Sequence, residues 1–162
     1  MIKSSKFSTW LFLITFSLAF YGMGASYVES LVNYPTWKLI GPAEFRAYHQ
    51  ALSPLIIGYM VIPLIITTLL TGLLLWFRPL PIPAWMLWLS IVFQLLIWAS
   101  TVLFQLPIQL ELSNTGLPLA SIDRLIFTNF WFRRIPALLN NILFFWMMVR
   151  LLIPPDTQSV KG

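Results

Sequence analysis

The sequence predicts an all-α, polytopic membrane protein: a four-transmembrane-helix, up-down bundle. Of its 162 residues, 59% are hydrophobic and only 9% are charged, and the mean hydropathy is +0.82. Soluble domains average about 25% charged residues, so this composition is typical of an integral membrane protein. The apolar residues also fall into four stretches, each long enough to cross a hydrocarbon core of about 30 Å at about 1.5 Å per residue.

We expect a single transmembrane domain over residues 1–155, followed by a disordered tail over 156–162. Its spans are predicted at about 10–32, 51–77, 85–106 and 125–153. The first stretch has basic residues before it and small residues after it, as secretory signals do, but its length favours an uncleaved first span. Pro54 and Pro63 predict a kink or an irregular turn in the second span.

Polar connections are expected over residues 33–50, where 44–50 could already begin a helix, and over 111–123. Four spans place both termini on the same side of the membrane, with the ten basic residues divided evenly between the two sides. If Arg133 and Arg134 are set aside as membrane-embedded, the basic residues favour the side of the termini. Because cytoplasmic loops are enriched in Lys and Arg, we predict a cell-membrane protein with cytoplasmic termini.

The composition excludes several kinds of site. Cysteine is absent, which removes disulfides, thiolate metal sites and cysteine nucleophiles. His49 is the only histidine, so a haem with two histidine ligands and histidine-rich metal clusters are excluded. Glu29 and His49 are too sparse a set to predict a metal, and we predict no cofactor. The net charge of +5 lies at the ends of apolar stretches, where basic residues meet lipid headgroups, so no nucleic-acid partner is expected.

Strongly polar residues are concentrated at one end of the predicted bundle. Up-down topology brings together the end of the first span, the start of the second, the end of the third and the start of the fourth. Ionisable residues within a membrane are costly and usually face partners or water. We therefore predict a polar pocket near one membrane face, formed by residues at those four ends: Glu29, His49, Gln105, Gln109, Asn129, Arg133, Arg134 and Asn140.

The predicted catalytic residues of this pocket are Glu29, His49 and Arg133. Glu29 or His49 would act as general base on an acidic C–H or O–H group, and Arg133 would stabilise the resulting anion. Successive helical residues diverge by about 100°, so only one of the two arginines is expected to point inward, and Arg133 shares a face with Asn140. Structural roles stay open too, as headgroup anchors or interhelical hydrogen bonds. The remaining residues are predicted to bind substrate: Gln105, Gln109, Asn129, Arg134 and Asn140.

A series of local features follows in order along almost the whole chain. They are a first span that ends in Glu29 and exits through Pro35, then Phe45 and His49 before Pro54, then Gln105-Leu-Pro-Ile-Gln109, and finally Trp131-Phe-Arg133. In this order of features the chain resembles the anthrone oxygenase-like family of small four-helix membrane proteins. The resemblance implies oxidation of an activated aromatic C–H group by oxygen, without an obvious metal or flavin.

Three functions follow from these patterns. The first is an oxygenase or other oxidoreductase that acts on a small hydrophobic, aromatic substrate. The second is a non-catalytic membrane subunit of a homo- or hetero-oligomer, whose polar groups bind another chain, a membrane lipid or a small molecule. The third, solute or proton transport, requires polar groups across the whole membrane, and Thr67, Thr71, Gln94 and Thr101 provide only a thin path.

Overall fold

The computed structural model describes residues 5–116 and 118–153, and this part of the chain is helical without strands. It contains four long helices, each long and apolar enough to cross a membrane. We name them α1 (Lys6–Trp37), α2 (Pro42–Leu74), α3 (Ala84–Thr115) and α4 (Leu119–Leu152). The predicted all-α four-helix bundle is thereby confirmed. The predicted disordered tail lies outside the described residues.

The helices pack in a ring in chain order, with α4 closing the ring against α1, and neighbouring helices run antiparallel. The stretches that join α1 to α2 and α3 to α4 lie at one end of the bundle, which we call the connection end. The opposite end, which we call the terminal end, holds the start of α1, the end of α4 and the turns over residues 75–83. This topology brings together the four helix ends on which the sequence placed its polar residues.

The helices are longer than the predicted spans, so the connections expected over residues 33–50 and 111–123 were predicted too long, whereas the helix that 44–50 could begin is present. Helix α1 continues to Trp37, and α2 begins at Pro42, because a proline in the first helical turn needs no hydrogen-bond partner for its nitrogen. At the start of α2 the polar side chains face outward, while Phe45 and His49, four residues apart, are buried. Polar composition in these segments therefore marks the exposed faces of helices rather than loops.

Each of the four helices contains one π-helical turn, and a proline follows two positions after each turn. A proline inside a helix has no N–H and its ring clashes with the carbonyl of residue i−4. In the wider turn, the N–H of the residue just before the proline bonds to the carbonyl five residues back. The π turns and their prolines are Glu29–Asn33 with Pro35, Ile57–Val61 with Pro63, Thr101–Gln105 with Pro107, and Phe130–Arg134 with Pro136.

One carbonyl freed by a proline has a partner on another helix. Tyr59 lies four residues before Pro63, so its carbonyl would accept a hydrogen bond from residue 63 in an uninterrupted α-helix. Instead, the Tyr21 hydroxyl of α1 donates to the Tyr59 carbonyl oxygen at 2.9 Å. The irregular turn predicted in the second span therefore also ties α1 to α2.

Two apolar clusters fill the ends of the bundle and leave a polar layer between them. The terminal-end cluster consists of Leu11, Phe12, Ala19, Leu74, Ile82, Met86, Leu87, Leu143, Phe144 and Met147. The connection-end cluster consists of Tyr34, Trp37, Phe45, Ile108, Leu112, Ile122 and Leu125. Large apolar side chains also cover the outer surface, as expected where helices face lipid.

Gly116, which ends α3, is expected to tolerate no side chain. Its φ of 93° and ψ of −130° lie in a region that is essentially restricted to glycine. We expect Gly116→Ala to destabilise the fold by about 1–3 kcal/mol, measured by thermal unfolding in detergent followed by circular dichroism. Gly24→Ala is the control, because Gly24 is helical and an added Cβ meets no atom within 4 Å. Equal effects of the two substitutions would contradict this interpretation.

Candidate functional site

A cavity of about 320 Å³ lies inside the bundle, with walls from all four helices. It begins beside Trp37, His49 and Ser113 at the connection end and extends past the π turns to Thr67 and Gln94. Its volume is within the range of small-molecule binding sites, and like those sites it is lined mainly by apolar side chains with a few polar groups. The cavity therefore has the size and the wall chemistry expected for a small organic ligand.

All four π turns contribute to the cavity wall. They supply Glu29 from α1, Met60 from α2, Gln105 from α3 and Arg133 from α4, among others. A π turn is wider than an α turn, and such turns are frequent at functional sites. The prolines that follow these turns thus help to place three of the predicted site residues around one space.

Two opposite charges face this space. Glu29 is only 4% exposed and accepts its hydrogen bond from the Asn33 side-chain amide. Arg133 is half-buried, its Nε atom is buried without a hydrogen-bond partner, and it lies beside the Tyr34 hydroxyl. Glu29 and Arg133 are close enough to attract each other, yet within residues 5–116 and 118–153 the sole ion pair joins Lys38 and Asp123. The carboxylate and the guanidinium therefore share the cavity without direct pairing.

His49 is fixed at the connection end of the cavity and is 3% exposed. Its Nε2 lies 2.6 Å from Gln109 Oε1, and its Nδ1 lies 2.9 Å from Ser113 Oγ. Because an amide oxygen only accepts, Nε2 carries a proton, and in the neutral ring Nδ1 accepts from the Ser113 hydroxyl. The ring also stacks on Phe45 and meets the edge of Trp37. Since both ring nitrogens already have partners, Glu29 is better placed than His49 to accept a proton from a ligand.

Polar side chains around the cavity also join the helices to one another. Gln105 of α3 donates to Thr128 Oγ1 of α4 at 3.0 Å. Nearer the terminal end, Ser90 of α3 donates to Asn140 Oδ1 of α4 at 2.6 Å. Such interhelical hydrogen bonds are worth roughly 0.6–2 kcal/mol each within a membrane. They hold the wall together at several depths.

Six of the eight residues predicted for the site line the cavity, and two do not. Asn129 is buried outside the lining, where its side-chain oxygen accepts from the Ser30 hydroxyl at 2.7 Å and joins α4 to α1. Arg134 is also outside the lining, and its guanidinium carbon lies 5.1 Å from the ring centre of Tyr27 and 5.2 Å from that of Phe130. Of the two adjacent arginines, Arg133 is the one that faces the cavity. The lining residues are Glu29, His49, Gln105, Gln109, Arg133 and Asn140.

Several residues of the cavity wall were absent from the predicted site. Trp37 and Ser113 lie in segments that were expected to be connections, so their helical positions were hidden. Gln94 carried a usable signal, because it lies on the same face of α3 as Gln105. There was little indication of Asn141 in the sequence. Its neighbour Asn140 was assigned to the pocket, and because adjacent helical residues usually face different ways, Asn141 was not expected to line it as well.

The arrangement combines an apolar wall, one carboxylate, one guanidinium and one imidazole. It can hold a mostly apolar molecule by a polar head, accept a proton from it and stabilise the anion that results. In the described residues, no three His, Asp or Glu side chains come together as a metal site would require.

Comparison with known proteins found no matching protein-family model, no matching curated protein and no matching solved structure.

Proposed function

We propose that this protein is a multi-pass protein of the cell membrane, with cytoplasmic termini, that binds a small aromatic molecule in the cavity and oxidises it with dioxygen. The observation that carries this proposal is the shared cavity of Glu29 and Arg133, which face it without an ion pair. Glu29 accepts from the Asn33 amide and Arg133 lies beside the Tyr34 hydroxyl, but neither is in an ion pair, so a molecule that contacts both charges gains binding energy from each. The apolar remainder of the wall favours a hydrophobic body for that molecule.

The first chemical step is proton transfer to Glu29. A ligand with an acidic C–H or O–H group between Glu29 and Arg133 gives its proton to the carboxylate, and the guanidinium stabilises the anion left behind. Asn33 orients the carboxylate by its hydrogen bond. His49, held by Gln109 and Ser113, fixes the connection-end wall of the site rather than taking the proton.

The second step follows from the resemblance to the anthrone oxygenase-like family. Once an activated methylene between aromatic rings has lost its proton to Glu29, the carbanion transfers electrons to dioxygen and a C–O bond forms, and the peroxide anion takes the proton back from Glu29 to give a hydroperoxide. Glu29 then removes the second C–H proton while the O–O bond breaks, and the leaving hydroxide takes that proton, which yields a carbonyl group and water. The carbon is oxidised from methylene to carbonyl, and dioxygen supplies both product oxygen atoms.

The first prediction of this proposal concerns binding. We expect 4-phenylphenol, a neutral aromatic weak acid, to bind the protein in phosphatidylcholine nanodiscs, as measured by native mass spectrometry. Arg133→Leu removes the cation that meets the phenol oxygen, so we expect binding about tenfold to a hundredfold weaker. Arg134→Leu is the matched control, since it removes the same charge from the adjacent position outside the cavity. Equal losses in the two variants would argue for a general effect of charge.

The second prediction concerns turnover. We expect the protein in vesicles to accelerate the oxygen-dependent conversion of anthrone to anthraquinone, followed by absorbance and by oxygen consumption. Glu29→Gln keeps the size of the side chain but removes the base, so the rate is expected to fall by at least about a hundredfold. Glu44→Gln, at the exposed start of α2, is the control and should retain the rate. Binding of 4-phenylphenol without any acceleration of anthrone oxidation would instead favour a non-catalytic binding protein.

A further inference from the structure

The side chain of Gln94 has its orientation fixed by two hydroxyl groups. The Thr71 hydroxyl donates to the Thr67 carbonyl, and the Ser90 hydroxyl donates to Asn140 Oδ1. Each hydroxyl has one proton, so both can only accept from Gln94. The Gln94 amide nitrogen accordingly donates to Thr71 and Ser90, at 3.0 and 3.1 Å. Its carbonyl oxygen is left over, buried and without a hydrogen-bond partner.

The same argument fixes the orientation of two more side-chain amides, those of Gln105 and Asn141. The Thr128 hydroxyl donates to backbone carbonyls of its own helix, so it can only accept from the Gln105 nitrogen. The Asn141 nitrogen donates to the carbonyl oxygen of Ala137 at 2.9 Å, and that oxygen can only accept. In both residues the side-chain oxygen is buried without a partner. All three amides line the cavity, and the exposures of Gln94, Gln105 and Asn141 are 1%, 2% and 4%.

The unpartnered groups of the cavity wall are of both types. Toward the connection end they are two donors, Trp37 Nε1 and Arg133 Nε, and one acceptor, the Gln105 oxygen. Toward the terminal end they are two acceptors, the oxygens of Gln94 and Asn141. These two lie at a similar depth, because Ser90 bonds both to Gln94 and to Asn140, the neighbour of Asn141. A buried acceptor without a donor is unfavourable, so a ligand that supplies one gains affinity at this end.

We infer that the ligand of the cavity carries a hydroxyl group at the end opposite its acidic head, and that this hydroxyl donates its one proton to the side-chain oxygen of Gln94 or of Asn141. Asn141 lies eight residues beyond Arg133 on α4, about 12 Å at 1.5 Å per residue, which sets the distance between the two polar ends. The inference rests on the proposed function, because the head is the group that meets Glu29 and Arg133. It adds a specificity site that distinguishes a ligand with two polar ends from one with a single polar end.

The test compares two probes that differ by one hydroxyl group, 4-phenylphenol and 4,4′-biphenol. Both are presented together to the protein in phosphatidylcholine nanodiscs, and native mass spectrometry gives the ratio of their dissociation constants. We expect 4,4′-biphenol to bind about tenfold more tightly, since its second hydroxyl donates to one of the unpartnered amide oxygens. The substitution that removes that oxygen, Asn141→Leu or Gln94→Leu, should reduce this preference toward equality while 4-phenylphenol still binds, and an unchanged preference in both variants would contradict the inference.

Two substitutions are tested so that the result of one can be used if the other prevents folding. Asn141 makes its hydrogen bond within its own helix, so Asn141→Leu disturbs less of the bundle than Gln94→Leu. Ser100→Ala is the matched control, because the Ser100 hydroxyl is also buried without a partner but lies outside the cavity, and it should leave the preference unchanged. Equal binding of the two probes by the unaltered protein would overturn this inference and leave the proposed function standing. Failure of both probes to bind would overturn the proposed function and this inference with it.

Discussion

A proline within a helix cannot donate a backbone hydrogen bond, and the architecture of this protein depends on how the chain accommodates that constraint at four prolines, one in each long helix; Pro54, also inside α2, has no π turn before it. Each of the four helices responds with one π turn just before its proline. Because the residues of these turns line a common cavity, the bundle is opened where uninterrupted helices could pack more closely. The Tyr21 hydroxyl, which bonds to the Tyr59 carbonyl, shows that the freed backbone groups are also used to join helices.

An internal cavity in a bundle of this size requires that the remaining packing hold the helices in place. The two apolar clusters do this at the ends, with Phe12 and Phe144 in contact at one end and Trp37 and Phe45 at the other. Between the clusters, the helices are joined by hydrogen bonds such as that between Ser30 and Asn129. These hydrogen bonds join particular pairs of helices, so they contribute to the specificity of helix pairing.

The fold and part of the site were predictable because the length of each apolar stretch and the positions of the polar residues can be read directly from the sequence. Four apolar stretches define the helices, and up-down topology then brings Glu29, His49 and Arg133 to one end. The π turns were not predictable in the same way, since a proline indicates an irregularity but not its form. Trp37 and Ser113 were missed because their neighbours are as polar as a loop. The orientation of the Gln94 side chain could not be predicted from the sequence either, because it depends on which atoms accept hydrogen bonds from the Thr71 and Ser90 hydroxyls.

Helix packing by itself does not account for the polar groups of the cavity wall. A glutamine that only joined helices is expected to have a partner for each of its hydrogen-bonding groups, since a buried polar atom without a partner is unfavourable. The amide nitrogens of Gln94 and Gln105 donate to neighbouring helices, yet their oxygens are buried without a hydrogen-bond partner, and both residues line the cavity. The same wall carries a carboxylate and a guanidinium that do not pair with each other. Unpartnered acceptors, a donor and two opposite charges therefore line one cavity, which is the combination of few polar groups and a mostly apolar wall that small-molecule sites have.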